Sequence, residues 1–522
     1  MTVTAPYRSA LPAGRDGITR TLRAEWTKFR TVRGWMITTV AAALVTMLLG
    51  LLFAVGSRTS CSVGPVEVAC PAVPLGPGGE AVQDRFFFAN QTLTGDGSIT
   101  ARVTSMTGVI TYPPPDHDKL VSGLVPWAKA GIMIKASAAP GSSYAAVTLT
   151  GRHGVRMQDD FTHDTAGRPG GVTAAAPRWL RLTRSGGTLT GYESPDGTRW
   201  TEIGTARPAA LPATVRAGLF VTSPSDMTVK ANTMGGSIVQ ARFTQASAVF
   251  DRVEVRGRAS GAWRGDDVGD DGGKTDWERY HRPSGLLQAG GTLTVTGSGD
   301  IAPSRDGVRV ESTLTGVVLG LILVIVVAVM FVTAEYRRGL IRTTLLAEPR
   351  RGRVLAAKAA VAGAVAFVTG LTAGAVAVPL SVAVLRAGGN HVLPVSPLTE
   401  VRVVAGVAAL FAATAVLAVA LGALYRRSVA AVTTGIVLLV VPYVIATASV
   451  LPDAASEWLT RLSPAAGFAI LQSIPEYAHV TGHYTPSDGY YPLAPWAGMA
   501  VLCLYAALAL GLAVTRLRRR DA

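Results

Sequence analysis

Charged residues are scarce in this sequence of 522 residues: Asp, Glu, Lys and Arg make up 16% of it, whereas a typical soluble protein has about 25%. Hydrophobic residues account for 49%, and the mean hydropathy is +0.34. A chain this apolar must bury itself, which excludes a mainly disordered protein and argues against a purely cytosolic enzyme. Cysteine is also rare, with three residues, which excludes a secreted disulfide-rich scaffold.

Six stretches of at least 23 residues contain no charged residue at all. About 20 apolar residues are enough to cross the bilayer core as a helix. Buried helices of soluble proteins are usually shorter and show a polar stripe. We therefore predict six transmembrane helices, with cores at Trp35–Val55, Leu314–Val332, Val361–Val384, Val404–Leu424, Val429–Ala448 and Pro495–Val514.

The formal net charge of +15 has a simple distribution along the chain. If the N-terminus lies in the cytoplasm, segments 1–33, 335–358, 426–427 and 516–522 face that side and together carry all of the net charge. The segments on the other side are neutral in sum. This positive-inside pattern predicts a multi-pass protein of the cell membrane, with both termini cytoplasmic and residues 56–312 outside. Because no compact domain holds a basic stripe, we expect no nucleic-acid partner.

The segment between the first two spans, Gly56–Ser312, is polar and rich in Gly, Thr and Ser. Short runs in it alternate between apolar and polar residues, and turn signals separate them, which is typical of antiparallel sandwiches and barrels. The clearest predicted strands are Ser98–Val103, Ala130–Ile134, Ala145–Leu149, Trp179–Leu182, Thr188–Tyr192, Arg216–Val221 and Val249–Val255. The predicted fold class is an α-helical polytopic membrane protein (six transmembrane helices) with an inserted all-β jelly-roll or sandwich domain.

Four motifs follow one another in this insert. They are Trp-Ala-Lys-Ala-Gly-Ile-Met-Ile-Lys at 127–135, Pro-Arg-Trp-Leu-Arg-Leu at 177–182, Gly-Tyr-Glu-Ser-Pro-Asp-Gly-Thr-Arg-Trp at 191–200 and Ala-Gly-Leu-Phe-Val at 217–221. In this order they resemble the concanavalin-like jelly-roll domains found beside carbohydrate-active modules, over residues 84–257, with 258–312 as a return segment. The resemblance implies a glycan or cell-wall ligand. Trp127, Trp179 and Trp200 are the candidate sugar contacts, and the alternative is that they fill the sandwich core.

Several patterns lack the residues that catalysis or metal binding needs. Glycoside hydrolysis requires two facing carboxylates, and the Glu-x-Asp-x-x-Glu strand of related glucanases does not occur. Gly269–Thr275 resembles a phosphate-binding loop but is one residue short, and Asp266–Asp271 lacks the spacing of a calcium loop. His479 and His483 have no third ligand in the sequence pattern. We therefore expect no catalytic residues, no metal site, no cofactor and, without a complete Walker A loop, no ATP hydrolysis by this chain.

Two of the three cysteines lie just past the first span. Cys61 and Cys70 both fall in the predicted outer segment, where oxidising conditions permit a disulfide. Such a bond would close a small loop at the neck of the insert. Cys503 lies in the last span and is expected to serve as a small apolar residue.

The segment before the first span is predicted to be an amphipathic helix at the inner membrane surface, because apolar residues recur at helical spacing with basic residues on the other face. The residues singled out in it are Leu22, Glu25, Trp26, Lys28 and Phe29. Their Leu-x-x-Glu-Trp-x-Lys pattern, the first span, and the run Glu335–Arg350 followed by Lys358 resemble a permease subunit of the type-2 ABC exporter class. The resemblance covers Leu22–Val55 and Ser312–Ala522.

This resemblance implies several partners: a separate ATP-binding subunit that holds ATP and Mg, and a second permease copy in a homo- or heterodimer within the lipid bilayer. It also implies that the loop 335–358 transmits the motion of the ATPase to the spans. The loop is too charged to enter lipid, and a short helix at Arg342–Leu346, ended by Pro349, is predicted in it. The alternative is a membrane-surface anchor on anionic lipid.

The candidate coupling residues are Glu335, Arg338, Gly339, Arg342, Leu345, Pro349, Arg350 and Lys358. Within this set, Glu335 is expected to pair with Arg338 one turn later. The apolar stretch Ala465–Ile474 corresponds to the short re-entrant helices of the family. The predicted function is the permease subunit of an ATP-driven exporter; the alternative is a non-transporting membrane protein that displays a carbohydrate-binding or sensing domain.

Overall fold

The computed structural model describes residues 17–519 except 64–65, 69, 71, 113–118, 210, 232–236, 271–282 and 349. Over these residues the chain forms a helical bundle, and an antiparallel β domain is inserted between its first two long helices. The helices are α1 Ile18–Thr31, α2 Arg33–Gly56, α3 Val317–Arg337, α4 Leu340–Ala347, α5 Arg351–Ala387, α6 Pro397–Tyr425, α7 Ser428–Thr447, α8 Asp453–Leu462 and α9 Pro495–Arg519.

Within the described part of the chain, six helices are long and apolar enough to cross a membrane: α2, α3, α5, α6, α7 and α9. This confirms the six predicted spans. One span starts later than predicted, because Val310–Leu314 forms a 3-10 turn and α3 begins at Val317 rather than at Leu314. Another span is longer than its apolar core, since α5 begins at Arg351, ten residues before the predicted Val361.

The bundle is organised around α6, which packs against α3, α5, α7 and α9. Its side chains Val407, Leu410 and Phe411 are fully buried. The helices around it are rich in Ala and Gly, and small residues let backbones approach closely where lipid removes any hydrophobic driving force between helices. After α7 and α8, the 3-10 segment Pro464–Leu471 enters the bundle against α6 and α9, and all of its residues are buried. This is where the sequence predicted a re-entrant segment.

The inserted domain is built from strands alone over the described residues 61–303. They are β1 Cys61–Val63, β2 Val66–Val68, β3 Val82–Asp84, β4 Phe86–Thr111, β5 Leu120–Ser122, β6 Lys129–Lys135, β7 Tyr144–Thr150, β8 Val155–Asp159, β9 His163–Ala166, β10 Arg178–Ser185, β11 Thr188–Ser194, β12 Thr201–Ala206, β13 Thr214–Thr222, β14 Asp226–Ala231, β15 Ser237–Val268, β16 Gly285–Ala289, β17 Thr292–Gly297 and β18 Ile301–Pro303. Every predicted strand lies inside one of them.

The main sheet has the order β12-β11-β10-β4-β13-β6-β7-β8-β9, and all its pairs are antiparallel. The long strand β4 pairs with β13 along its first half and with β10 along its second half, while β15 follows its other edge throughout. The two halves face each other, so that Ile99 and Leu180 from one share a core with Ile132 and Leu219 from the other. The result is a sandwich that curls towards a barrel.

The bend of the two long strands depends on glycine. Gly257 has a φ of +120° and lies opposite Gly97, beside a register shift. A Cβ on Gly97 would lie 2.4 Å from the carbonyl oxygen of Arg256, so only glycine fits there. The predicted boundary at residue 257 therefore falls inside β15, and the sheet continues beyond it to Val268. The assignment of residues 84–257 to the concanavalin-like jelly rolls stays a prediction.

The β domain has a second core on the face that carries the aromatic rings of Phe86, Tyr144 and Phe161. Two ion pairs lie under this face: Lys135 to Asp84 at 2.7 Å and Lys129 to Asp300 at 2.9 Å, with both lysines fully buried. They tie β6 to the segments that enter and leave the domain.

Next to this core, the carbonyl oxygen of Phe161 lies 2.8 Å from Nε2 of His479, which belongs to the loop before α9. Burial lowers the pKa of His479 below its ordinary value, so the neutral ring is favoured in this contact. The β domain thus rests on the last interhelical loop of the bundle.

Candidate functional site

The helix α1 lies at the end of the bundle opposite the β domain, because that domain joins the C-terminus of α2 to the N-terminus of α3. The chain bends at Val32, whose backbone is extended, and α1 then packs against α5 and α2. The C-terminus of α3 and the N-terminus of α5 meet at this same end, with the short helix α4 between them. Four charged side chains converge here.

These four side chains form a closed network, which we call the charge cluster: Glu25, Lys28, Glu335 and Lys358. Nζ of Lys358 lies 2.6 Å from Glu25 Oε2 and 2.8 Å from Glu335 Oε1. Nζ of Lys28 lies 2.8 Å from Glu25 Oε1 and 3.0 Å from Glu335 Oε1. Two positive and two negative charges balance, which is the condition for holding charges away from water.

Three of the four side chains in the charge cluster are buried. The side chains of Glu25, Lys358 and Glu335 are 1%, 2% and 8% exposed, whereas Lys28 is 37% exposed. Burial lowers the pKa of Lys28, but hydrogen bonds and attraction to Glu25 and Glu335 raise it by more, and the net pKa lies above its ordinary value of 10.5. Lys28 therefore stays charged at neutral pH and closes the cluster towards the outside.

Lys28 also connects the charge cluster to α4, because its Nζ donates to Oγ1 of Thr344 at 3.2 Å. One lysine thus contacts α1, α3 and α4 together. A movement of α4 changes the environment of a side chain that holds two other helices.

Aromatic rings cover the charge cluster on the side of the bundle. The rings of Phe29, Trp35 and Phe331 pack pairwise, with centroids 5.3 to 5.9 Å apart. Nζ of Lys358 lies 4.5 Å from the centre of the Phe331 ring, a cation–π contact. The rings shield this side of the cluster from water, which strengthens the buried ion pairs of Lys358.

The loop between α3 and α5 has the predicted short helix, α4, which extends the expected Arg342–Leu346 by a few residues at its ends. Gly339, at φ +68°, makes the left-handed turn that separates α3 from α4. Arg338, Arg342 and Arg350 are exposed. The side chain of Leu345 and the whole of Pro349, both predicted coupling residues, lie outside the described structure.

One predicted pairing is wrong. Glu335 contacts Lys28 and Lys358 instead of Arg338, because it faces the bundle at the end of α3 while Arg338 lies in the exposed turn. The orientation of α1 also differs from its apolar pattern. Glu25 is buried with Phe29, whereas Trp26 remains 43% exposed. Isolated charges beside the ends of apolar spans are the signal that would have pointed to a buried network.

The three candidate sugar-binding tryptophans separate into two groups. Trp127 is 9% exposed and stacks on the ring of His153. Trp179 and Trp200 lie outside the sandwich core, half-buried. Arg181, two positions from Trp179 on the same face of β10, stacks on Trp200 with its guanidinium carbon 3.8 Å from the ring centre.

The remaining predicted features involve the cysteines, the histidine pair and the glycine-rich loop. Cys61 and Cys70 form a disulfide. His483 lies between Asp453 and Asp488, and no group of three metal-binding side chains occurs among the described residues. Most of the Gly269–Thr275 loop lies outside the described residues.

Comparison with known proteins gives one family match. The model of the ABC-2 family transporter protein matches residues 157–522, which include the charge-cluster residues Glu335 and Lys358. No curated protein matches the chain.

The solved structures that are similar to parts of the chain include the following two. One is a functionally unknown protein from Saccharomyces cerevisiae, with 14% identity, a TM-score of 0.21, and coverage of 38% of this chain and 90% of that one. The other is scytalido-glutamic peptidase with a transition state analog inhibitor, with 8% identity, a TM-score of 0.25, and coverage of 41% and 98%. These TM-scores are too low to assign the β domain to either fold.

Proposed function

Because the chain belongs to the ABC-2 family of transporter proteins, we propose that it is the membrane-spanning permease of an ATP-driven exporter whose ATPase is a separate subunit. The observation that supports this is the charge cluster, which ties α1, α3 and α5 to the exposed helix α4. A buried and balanced ion network is stiff, because breaking any pair leaves an uncompensated charge. It is suited to pass a displacement of α4 to three helices at once.

The exposed surface of α4 is where the ATPase would bind. Arg342 on α4 and Arg338 in the turn before it are exposed, and Leu346 is 84% exposed. An apolar anchor beside arginines fits a groove with acidic edges on a soluble partner. In this proposal the partner binds ATP and Mg, and its closure presses on α4.

The orientation and the assembly complete the proposal. The basic segments at the α1 and α4 end support a cytoplasmic position for that end and for both termini, with the β domain outside, by the positive-inside rule. Six spans supply half of a pathway, so a second permease copy pairs with this one.

The test is affinity purification of the full chain from its native membranes in mild detergent, with ATPase activity measured on the eluate. We expect an ATPase subunit to co-purify, and Leu346→Glu or Arg342→Glu to reduce its recovery several-fold. The matched control is Arg152→Glu, which reverses an exposed charge on the β domain. A pure permease without any ATPase contradicts the proposal and favours a non-transporting display protein.

A second proposed role concerns the β domain as a glycan-binding module. The half-buried Trp179 and Trp200 on one outer face, with Arg181 beside them, support it, because aromatic rings and guanidinium groups bind sugar faces and acidic substituents. The test is sedimentation of the purified full chain with isolated cell walls. Trp200→Ala should lower the bound fraction, and Trp127→Phe, at the buried site, should leave it unchanged. Equal binding by all three proteins contradicts this role.

A further inference from the structure

A large apolar groove lies between α1, α2 and α5, on the outer side of the charge cluster. It has a volume of about 710 Å³, within the range of about 300–1,000 Å³ typical of small-molecule sites. Its walls come from Leu22 and Trp26 on α1, Met36 on α2, and Ala364 and Val368 on α5. The groove opens on the surface of the bundle at the level of the interfacial helix.

The walls of the groove are almost entirely apolar. The two threonines that line the groove are satisfied within their own helices: Thr39 donates to the carbonyl oxygen of Trp35, and Thr369 donates to that of Val365, both at 2.8 Å. A site whose walls are mainly methyl and methylene groups, and whose threonine hydroxyl protons are already donated, fits a hydrocarbon chain.

The mouth of the groove has the opposite character, because Arg23 lies there beside Trp26. Glu25 is the only acidic residue of α1, and it is turned into the charge cluster. The outward surface of α1 therefore presents the exposed Arg20, Arg23 and Arg30 with no acidic neighbour on the same helix. Tryptophan at this depth is typical of the membrane–water boundary.

We propose that this groove is a binding site for one anionic phospholipid of the membrane leaflet that contacts α1. An acyl chain fills the apolar groove, and the phosphate pairs with Arg23 at the mouth. Charge complementarity selects the anionic lipid, since arginines beside a membrane are attracted to anionic headgroups at its surface. The lipid packs against Leu22 and Trp26 and holds α1 against α5.

The position of the groove gives this lipid a consequence for the charge cluster. Thr39, Val365 and Thr369 also line a small void of about 20 Å³ that reaches Phe29. Phe29 in turn packs on Phe331, the ring that covers Lys358. A bound acyl chain therefore supports the aromatic cover of the cluster from outside.

The experiment uses the full chain in vesicles of equal parts phosphatidylglycerol and phosphatidylcholine. In one preparation phosphatidylglycerol carries a photoreactive diazirine on one acyl chain, and in a second preparation phosphatidylcholine carries it. Cross-linked peptides are identified by mass spectrometry. We expect labelling by phosphatidylglycerol within 22–39 and 360–369. Ala364→Trp, which fills the groove, should reduce it several-fold, whereas Leu508→Trp, on the exposed face of α9, should not.

The headgroup contact is tested separately. Arg23→Gln should reduce labelling by phosphatidylglycerol to the level of phosphatidylcholine, and Arg30→Gln, an exposed arginine of the same helix that does not line the groove, should preserve the difference. Because Arg23 is exposed, this variant tests the site without disturbing the core. Equal labelling by the two lipids in the wild type, labelling unaffected by Ala364→Trp, or cross-links from the groove to a second copy of the chain would each overturn the proposal.

Discussion

The charge cluster makes a quantitative prediction for Lys358→Met. Methionine keeps the length and the apolar stem of lysine but removes the charge that contacts Glu25 at 2.6 Å and Glu335 at 2.8 Å. Two buried carboxylates then share a single cation, the partly exposed Lys28, and the cluster carries one uncompensated negative charge. The aromatic cover formed by Phe331 keeps water from replacing the lost partner.

Removing one partner of a buried ion pair costs about 3–5 kcal/mol. For a unit of the size of this bundle, each kcal/mol lowers the melting temperature by about 2–4 °C, so we expect a decrease of about 6–20 °C. The double variant Lys358→Met/Glu335→Gln restores charge balance, since Glu25 and Lys28 then remain as a pair. We expect it to recover part of the loss, with a coupling energy of about 1–3 kcal/mol.

The assay is thermal unfolding of the purified full chain in detergent, followed by the helical signal in far-ultraviolet circular dichroism. Arg342→Met is the control, because it removes an exposed charge on α4 and should change stability by less than about 0.5 kcal/mol. The cluster is not a coupled network if Lys358→Met has the same melting temperature as this control. The same conclusion follows if the loss of stability in the double variant equals the sum of the losses in Lys358→Met and Glu335→Gln.

Three further predictions concern the β domain and the loop beneath it. Lys135→Met should lower the free energy of unfolding of the β domain by about 3–5 kcal/mol in urea, because it leaves the fully buried carboxylate of Asp84 without its charged partner. A change below about 1 kcal/mol would contradict the pairing. Burial lowers the pKa of His483, but hydrogen bonds to Asp453 and Asp488 raise it by more, to above its ordinary 6.5. The contribution of His483 to stability is therefore fully present below pH 6.5 and is lost as the pH rises through the folded pKa. The melting temperature of the wild type should fall towards that of His483→Gln as the pH rises from 6.5 through the folded pKa. If the two melting temperatures keep a constant difference over this pH range, the prediction is refuted. Thiol alkylation under denaturing conditions should detect one free cysteine before reduction and three after it, because the structure has one disulfide and one free cysteine; three before reduction would contradict the bond.

The sequence determined the elements whose formation depends on local pattern. Charge-free stretches longer than a bilayer core needs can be satisfied in lipid only as helices, so the six spans followed from length and composition. Alternation of apolar and polar residues predicted seven of the strands of the insert, because side chains on a strand alternate between its faces. The short helix predicted at Arg342–Leu346 rested on a different local signal, the proline that ends it, and the structure has a helix at Leu340–Ala347.

Tertiary structure alone decided which charges meet. The sequence predicted that Glu335 pairs with Arg338, because the two are one helical turn apart. In the structure, the packing of three helices brings Lys28 and Lys358 to Glu335 instead. The contacts of Lys28 with Glu335 and of Lys358 with Glu25 join residues 307 and 333 positions apart. A sequence specifies charge and periodicity, but the burial that makes an ion pair strong depends on which surfaces come together. The same holds for Trp179 and Trp200, whose outward face became evident only once the two halves of the sheet had closed on each other.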